Sequence, residues 1–312
     1  MPEIQENPAS SVKNTDISLN LIKNVPKENN IKASLMSLRN EHGYNPEGIW
    51  SDARLQTAVD GMSVYVDVYN MASEQLKKHL NNTNIISGFI GVRPIVSLAN
   101  QDPKTLIINS NFYDRGEDLL FLKVHEEFKK LLDTRAQGKI RLERIDYSKV
   151  KYKNIFSYEL MNTSAIQNVA NENPDLFRQS GSISPTEWLI QNPDVWPMTP
   201  QSNSEDAKIK EIRSGVLSGF PRSASNKYAE EATSEIDLLR SLKKIVKGSK
   251  NVNWLTKMTE YTPILNQDVK TAQLESGLPY MHYSESDLKW TKDAAALLKH
   301  SVKLFGLSTL KQ

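Results

Sequence analysis

Apolar positions recur along this chain in two rhythms, one near 3.6 residues and one of short β-branched runs, and their order predicts the architecture. Between residues 31 and 82, Leu55, Val59, Met62, Val66 and Tyr69 step by four, three, four and three, which is one face of a helix ending near Asn81-Asn82. Gly61 and the Val64-Tyr65-Val66 run weaken that face. Three short runs follow, Ile85 to Ile90, Pro94-Ile95-Val96 and Thr105 to Ile108, each bounded by Gly, Asn, Asp or Pro and therefore read as strands.

Asp114-Arg115-Gly116-Glu117 has the spacing of a helix-capping box, and the stripe Phe121, Val124, Phe128, Leu131 continues from it to a stop at Gln137-Gly138. Lys139 to Tyr147 predicts another strand with Ile140 and Leu142 on one face, and strand, helix, strand together predict a small α/β unit. The signals from 151 to 200 are mixed, with a weak helical pattern at first. Ser184-Pro185-Thr186-Glu187 starts a short helix, and Trp188 and Trp196 among three prolines indicate an ordered connector.

The last third is helical. Asp206 to Leu217 and Ser223 to Lys247 are two helices separated by the turn Ser218-Gly219-Phe220-Pro221. The final helix has the clearest pattern: Ser284 to Asp287 cap it, Leu288, Thr291, Ala295, Leu298, Val302 and Phe305 form a seam, and Gly306 ends it. Packing that seam on the two preceding helices makes a bundle. The expected fold class is therefore α+β and helix-rich, a small α/β unit in the N-terminal half followed by a C-terminal helical bundle. Its segments are a disordered lead-in (1–30), the α/β unit (31–150), a Pro/Trp-containing connector (151–200) and the bundle (201–312).

Charge adds little to this picture. The 39 Lys+Arg and 37 Asp+Glu leave a net charge of +2, so any nucleic-acid surface must be local. The absence of cysteine excludes disulfides, thiolate nucleophiles and cysteine-ligated metals. No run reaches the roughly 18 apolar residues of a membrane span, and residues 1–30 lack a basic stretch followed by an apolar one, so a cytoplasmic protein is expected. Lys outnumbers Arg by 28 to 11 within a chain rich in Asn, a codon-level hint of an A+T-rich, bacterial genome.

Candidate chemistry is sparse. His125-Glu126-Glu127-Phe128-Lys129 lacks the second histidine a zincin helix needs, which leaves His125 and Glu126 only as a general acid/base pair. The five histidines show no metal-ligand spacing, His300 falls off the seam of the last helix and is expected to be exposed, and no glycine-rich phosphate loop is present, so neither metal nor cofactor is expected.

Asn109, Asn111 and Arg115, after the Thr105 to Ile108 run and before a helix start, form with Arg93 a candidate anion cradle. Lys243, Lys244, Lys247 and Lys250 with Trp254 form a basic face suited to nucleic-acid phosphates or an anionic membrane. Without a catalytic constellation, the expected function is an interaction or adaptor protein with an unidentified protein partner. The alternatives are an enzyme acting on a phosphorylated or otherwise anionic small molecule, and weak nucleic-acid binding through residues 238–259.

Overall fold

The computed structural model describes residues 28–46, 48–101, 121–146, 156–193, 205–230 and 285–304. It is helix-rich α+β with a small antiparallel sheet. The elements in chain order are α1 (Glu28–His42), α2 (Asp52–Met71), α3 (Glu74–Leu80), α4 (Thr83–Phe89), β1 (Ile95–Gln101), α5 (His125–Arg135), β2 (Ile140–Asp146), β3 (Phe156–Asn162), α6 (Thr163–Glu172), a 3-10 helix (Pro174–Ser180), α7 (Pro185–Gln191), α8 (Glu205–Leu217) and α9 (Glu285–Leu304).

Leu55, Val59, Met62, Val66 and Tyr69 are all buried on α2, as their spacing requires. The helix stops at Met71 rather than near Asn81, because Ser73 caps a new helix by accepting from the Leu76 N–H at 3.2 Å. Gly61 is there for packing: a Cβ at that position would lie 1.7 Å from the Phe89 carbonyl oxygen, so α4 approaches α2 backbone to side-chain-free backbone. Residues 83–89 are helical, not a strand. Asn82 accepts from the Asn84 N–H at 2.8 Å, and Ile85, Ile86 and Phe89 are all buried together with Ser87 and Gly88. A short helix covered on nearly every side carries no amphipathic pattern to distinguish it from a buried strand.

The sheet has the order β1-β3-β2, with both pairings antiparallel. Pro94-Ile95-Val96 opens β1 and Lys139 to Tyr147 contains β2, as expected, but the central strand β3 comes from residues 156–162, where the sequence shows only a weak helical pattern. One face of the sheet, with Val96, Ile140, Leu142 and Leu160, packs in a core with α1 to α5 and α9. The other face, with Ile95 and Met161, packs on α6, the 3-10 helix, α7 and α8 through Ile166, Val169, Phe177, Trp188, Leu189 and Ile212. The sheet is thus a middle layer between two sets of helices.

Asn162 joins these layers. Its Oδ1 accepts from the Ala165 N–H at 2.9 Å, capping α6, while its Nδ2 donates to the carbonyls of Gly88 and Phe89 at 3.3 and 2.8 Å.

The expected starts and stops are present at α7, where Ser184 accepts from the Glu187 N–H and Pro185 stands in the first turn, and after α5, where Gln137 and Gly138 take positive φ. The stripe of α5 is Phe121, Val124, Phe128 and Leu132, with Leu131 only half-buried; the capping box at 114–117, the Thr105 to Ile108 run and Trp196 lie outside the described residues. After α8 comes the Ser218 to Pro221 turn and a helix described over 222–230. On α9, Thr291, Ala295 and Leu298 are buried. That helix packs on α1 and α4, and Trp290 Nε1 donates to the Gly219 carbonyl in the turn after α8 at 3.0 Å, so Ala294, Leu297 and Leu298 share a core with Ile31, Leu35 and Phe89. His300 is half-buried rather than exposed, because its Nε2 meets Ser34 Oγ at 2.7 Å across the α1–α9 contact.

Candidate functional site

Two of the buried charged side chains, Glu159 and Arg213, lie on the α6–α8 side of the sheet. In β3, Ser157, Glu159 and Met161 point to that face, and the register sets Glu159 opposite Ser97 of β1 and Glu143 of β2. Glu159 is 2% exposed. Its carboxylate receives the Ser97 hydroxyl at 2.8 Å on Oε1 and 2.7 Å on Oε2, and the Ser157 hydroxyl at 2.5 Å on Oε1. Burial pushes the Glu159 carboxyl above the usual range, opposed by the Ser157 and Ser97 hydrogen bonds and by the Arg93 charge. A carboxylate so placed is a stronger base than a solvated one, with a hydroxyl in position to give it a proton.

Ser97 itself is exposed. It stands at an irregularity in β1: Ser97 pairs with Glu159 and Ala99 with Tyr158, so Leu98 is an extra residue without a partner opposite it. On the neighbouring strand Arg141 holds Glu143 at 2.8 Å through Nε and 2.7 Å through Nη2, and also bonds Glu187 of α7. Arg93, two residues before β1, donates from Nη1 to Asn84 Oδ1 at 2.9 Å.

His125 and Glu126 lie on the opposite side of the sheet. The His125 ring sits 4.7 Å from that of Tyr158, its Nδ1 meets the Leu122 carbonyl at 2.8 Å and its Nε2 meets Glu126 at 3.1 Å. Tyr158 packs against the α1–α5 core, whereas its neighbour Glu159 points the other way. The Arg93 charge acts on the buried carboxylate, while His125 and Glu126 are kept from Glu159 by the sheet. Asn109, Asn111 and Arg115 lie outside the described residues, as do Lys243, Lys244, Lys247, Lys250 and Trp254.

Other charged side chains join elements together. Arg54 Nε and Nη2 donate to Glu172 at 3.0 and 2.6 Å, linking α2 to α6. Arg222 donates both terminal nitrogens to Asp175 at 2.6 Å, and this pairing holds the Asp175 carboxyl below its usual range. His42 reaches Asp293 at 3.3 Å, and Lys289 reaches the same carboxylate at 2.6 Å. Arg213, 4% exposed, donates from Nε to the Leu176 carbonyl at 2.7 Å with the Trp188 ring centre 4.8 Å from its guanidinium. Among the described residues no group of three or more His, Asp or Glu is placed to hold a metal ion, and no described helix is long and apolar enough to cross a membrane.

Sequence reasoning missed Glu159 and its two serines. The available signal was the alternation Ser157, Glu159, Met161 against Tyr158, Leu160, Asn162, a period-two pattern with a carboxylate on a covered face. Neither a protein-family model, nor a curated protein, nor a solved structure matches the chain.

Proposed function

We propose that the chain is a protein-interaction module acting in the cytoplasm, a rigid scaffold that presents its surface to a protein partner. The observation that carries this reading is how its charged side chains are partnered. Arg54 with Glu172, Arg222 with Asp175, Arg141 with Glu187, and His42 with Asp293 bond one another across separate elements. Such pairs fix the packing of elements and offer nothing to a substrate. His125 and Glu126 likewise bond each other and the preceding turn. At the surface, Tyr44 is 59% and Met71 51% exposed, with Tyr228 at 38%, side chains of the type that anchor protein interfaces.

A photo-crosslinking amino acid at position 44, 71 or 228, in protein expressed in its own cells, tests this. The reading expects a discrete adduct at one or two of these positions, competed away by unlabelled protein. Equal, diffuse labelling at all three contradicts it.

A second reading, an enzyme acting on an anionic small molecule, is favoured by one arrangement, the buried Glu159 under the charge of Arg93 with an exposed hydroxyl bonded to its carboxylate. Turnover of anionic phosphoester and carboxylic ester substrates that falls in Glu159→Gln supports it, and equal rates oppose it.

A further inference from the structure

The geometry points to Ser97 as a nucleophilic hydroxyl activated by Glu159, able to accept an acyl group from a carboxylic ester whose acid part carries a second negative charge. This rests on the second reading above.

The arrangement has the three parts an activated nucleophile needs. The attacking group is exposed: Ser97 reaches solvent, whereas Ser157 is 0% exposed and Glu159 2%. The base is within hydrogen-bond reach, both Glu159 oxygens lying 2.7 to 2.8 Å from Ser97 Oγ. The base is in turn held by a third group, since Ser157 donates to Glu159 Oε1 at 2.5 Å and fixes the carboxylate rotamer. The bulge adds a fourth feature. Leu98, directly after Ser97, is skipped by the β1–β3 register, so the hydroxyl stands at a break in the ladder. Arg93, which stands two residues before β1 and whose charge acts on Glu159, supplies a positive charge for the substrate's distal anion.

In the step itself Ser97 Oγ attacks the ester carbonyl carbon and its proton passes to Glu159. The bond to the leaving alcohol breaks as that alcohol takes the proton from Glu159. Water then cleaves the Ser97 ester, with Glu159 receiving and returning a proton, and releases the acid. A serine far from any Gly-x-Ser-x-Gly elbow can do this only because strand pairing brings it to a carboxylate 62 residues away in sequence.

The test uses the full chain with a tagged alkyl fluorophosphonate. Ser97 Oγ bonds phosphorus, fluoride leaves, and the proton goes to Glu159. Mass spectrometry locates the adduct, and hydrolysis of mono-p-nitrophenyl succinate is followed beside p-nitrophenyl acetate. The proposal expects one adduct, on Ser97, a labelling rate about a hundredfold lower in Glu159→Gln, and loss of the preference for the succinate ester in Arg93→Ala. Ser97→Ala, at an exposed position, folds as wild type and takes no label. A thermal melt of Glu159→Gln at or above that of wild type shows that the slower labelling is not unfolding. No adduct on Ser97, or an equal rate in Glu159→Gln, overturns the proposal. Succinate-ester hydrolysis that survives Ser97→Ala yet falls in Glu159→Gln overturns Ser97 as nucleophile while leaving the enzyme reading in place; neither labelling nor hydrolysis in the wild-type protein overturns both.

Discussion

The guanidinium of Arg54 lies 4.8 Å from the centre of the Trp290 ring while its nitrogens grip Glu172, so one side chain ties α2 to α6 and to α9. Arg54 is 7% exposed, and the bonds it makes are charge-assisted and bidentate. Arg54→Ala therefore removes a cation–π contact and leaves a half-buried carboxylate unpaired. The expected cost is about 2 to 3 kcal/mol, measured by denaturant unfolding. Arg54→Lys recovers only part of this, because an ammonium cannot match the fork.

Gly61 gives a prediction of the opposite sign to helix propensity. In an exposed helix Gly→Ala gains about 1 kcal/mol. Here the added methyl would fall 1.7 Å from the Phe89 carbonyl oxygen, which is backbone and is fixed in turn by the Asn162 amide. Gly61→Ala is expected to destabilise by about 3 kcal/mol or more, with the loss read from the midpoint of urea unfolding. A neutral or stabilising effect would show that α4 can move away from α2.

Two carboxyls set a pH dependence. Burial pushes Glu211 of α8 up to about 7 and raises Glu159. A raised folded-state value means that the fold favours the protonated form, so this contribution to stability is complete below the unfolded-state value near 4.5 and is lost as pH rises through the folded-state value. For Glu211 the window is pH 4.5 to 7. Glu211→Gln should melt with wild type at pH 4.5 and above it at pH 8, by differential scanning calorimetry. Glu159→Gln should show the same sign, keeping an oxygen for Ser97 and Ser157 while removing the buried charge. Wild type melting above either variant at pH 8 would contradict the assignment.

The parts of the fold that were legible in the sequence were those with a local cause. The seam of α9, the Ser184-Pro185 start of α7, the Gln137-Gly138 stop after α5 and the apolar alternation of β2 each follow from backbone preference within a few residues. The α4 helix was hidden because a seven-residue helix buried nearly all round has no polar face, and its Ile85-Ile86 pair has the composition of a strand. The β3 strand was hidden because it places Glu159 where alternation demands an apolar residue. The site was not legible at all: Ser97 and Glu159 meet only through strand pairing, and no spacing rule covers a contact made 62 residues apart. His125 and Glu126, adjacent and conspicuous in sequence, turn out to be occupied with each other and with Leu122.

The central claim is that this fold is a scaffold whose ion pairs lock its elements so that its surface can hold a protein partner. The most direct measurement is the native mass of the protein in a gently prepared extract of its own cells, by mass photometry after affinity capture under non-denaturing conditions. The scaffold account predicts a discrete species heavier than the 35.3 kDa chain by an amount that is not a whole multiple of it. A species at 35.3 kDa, or only at whole multiples of that mass, would contradict it.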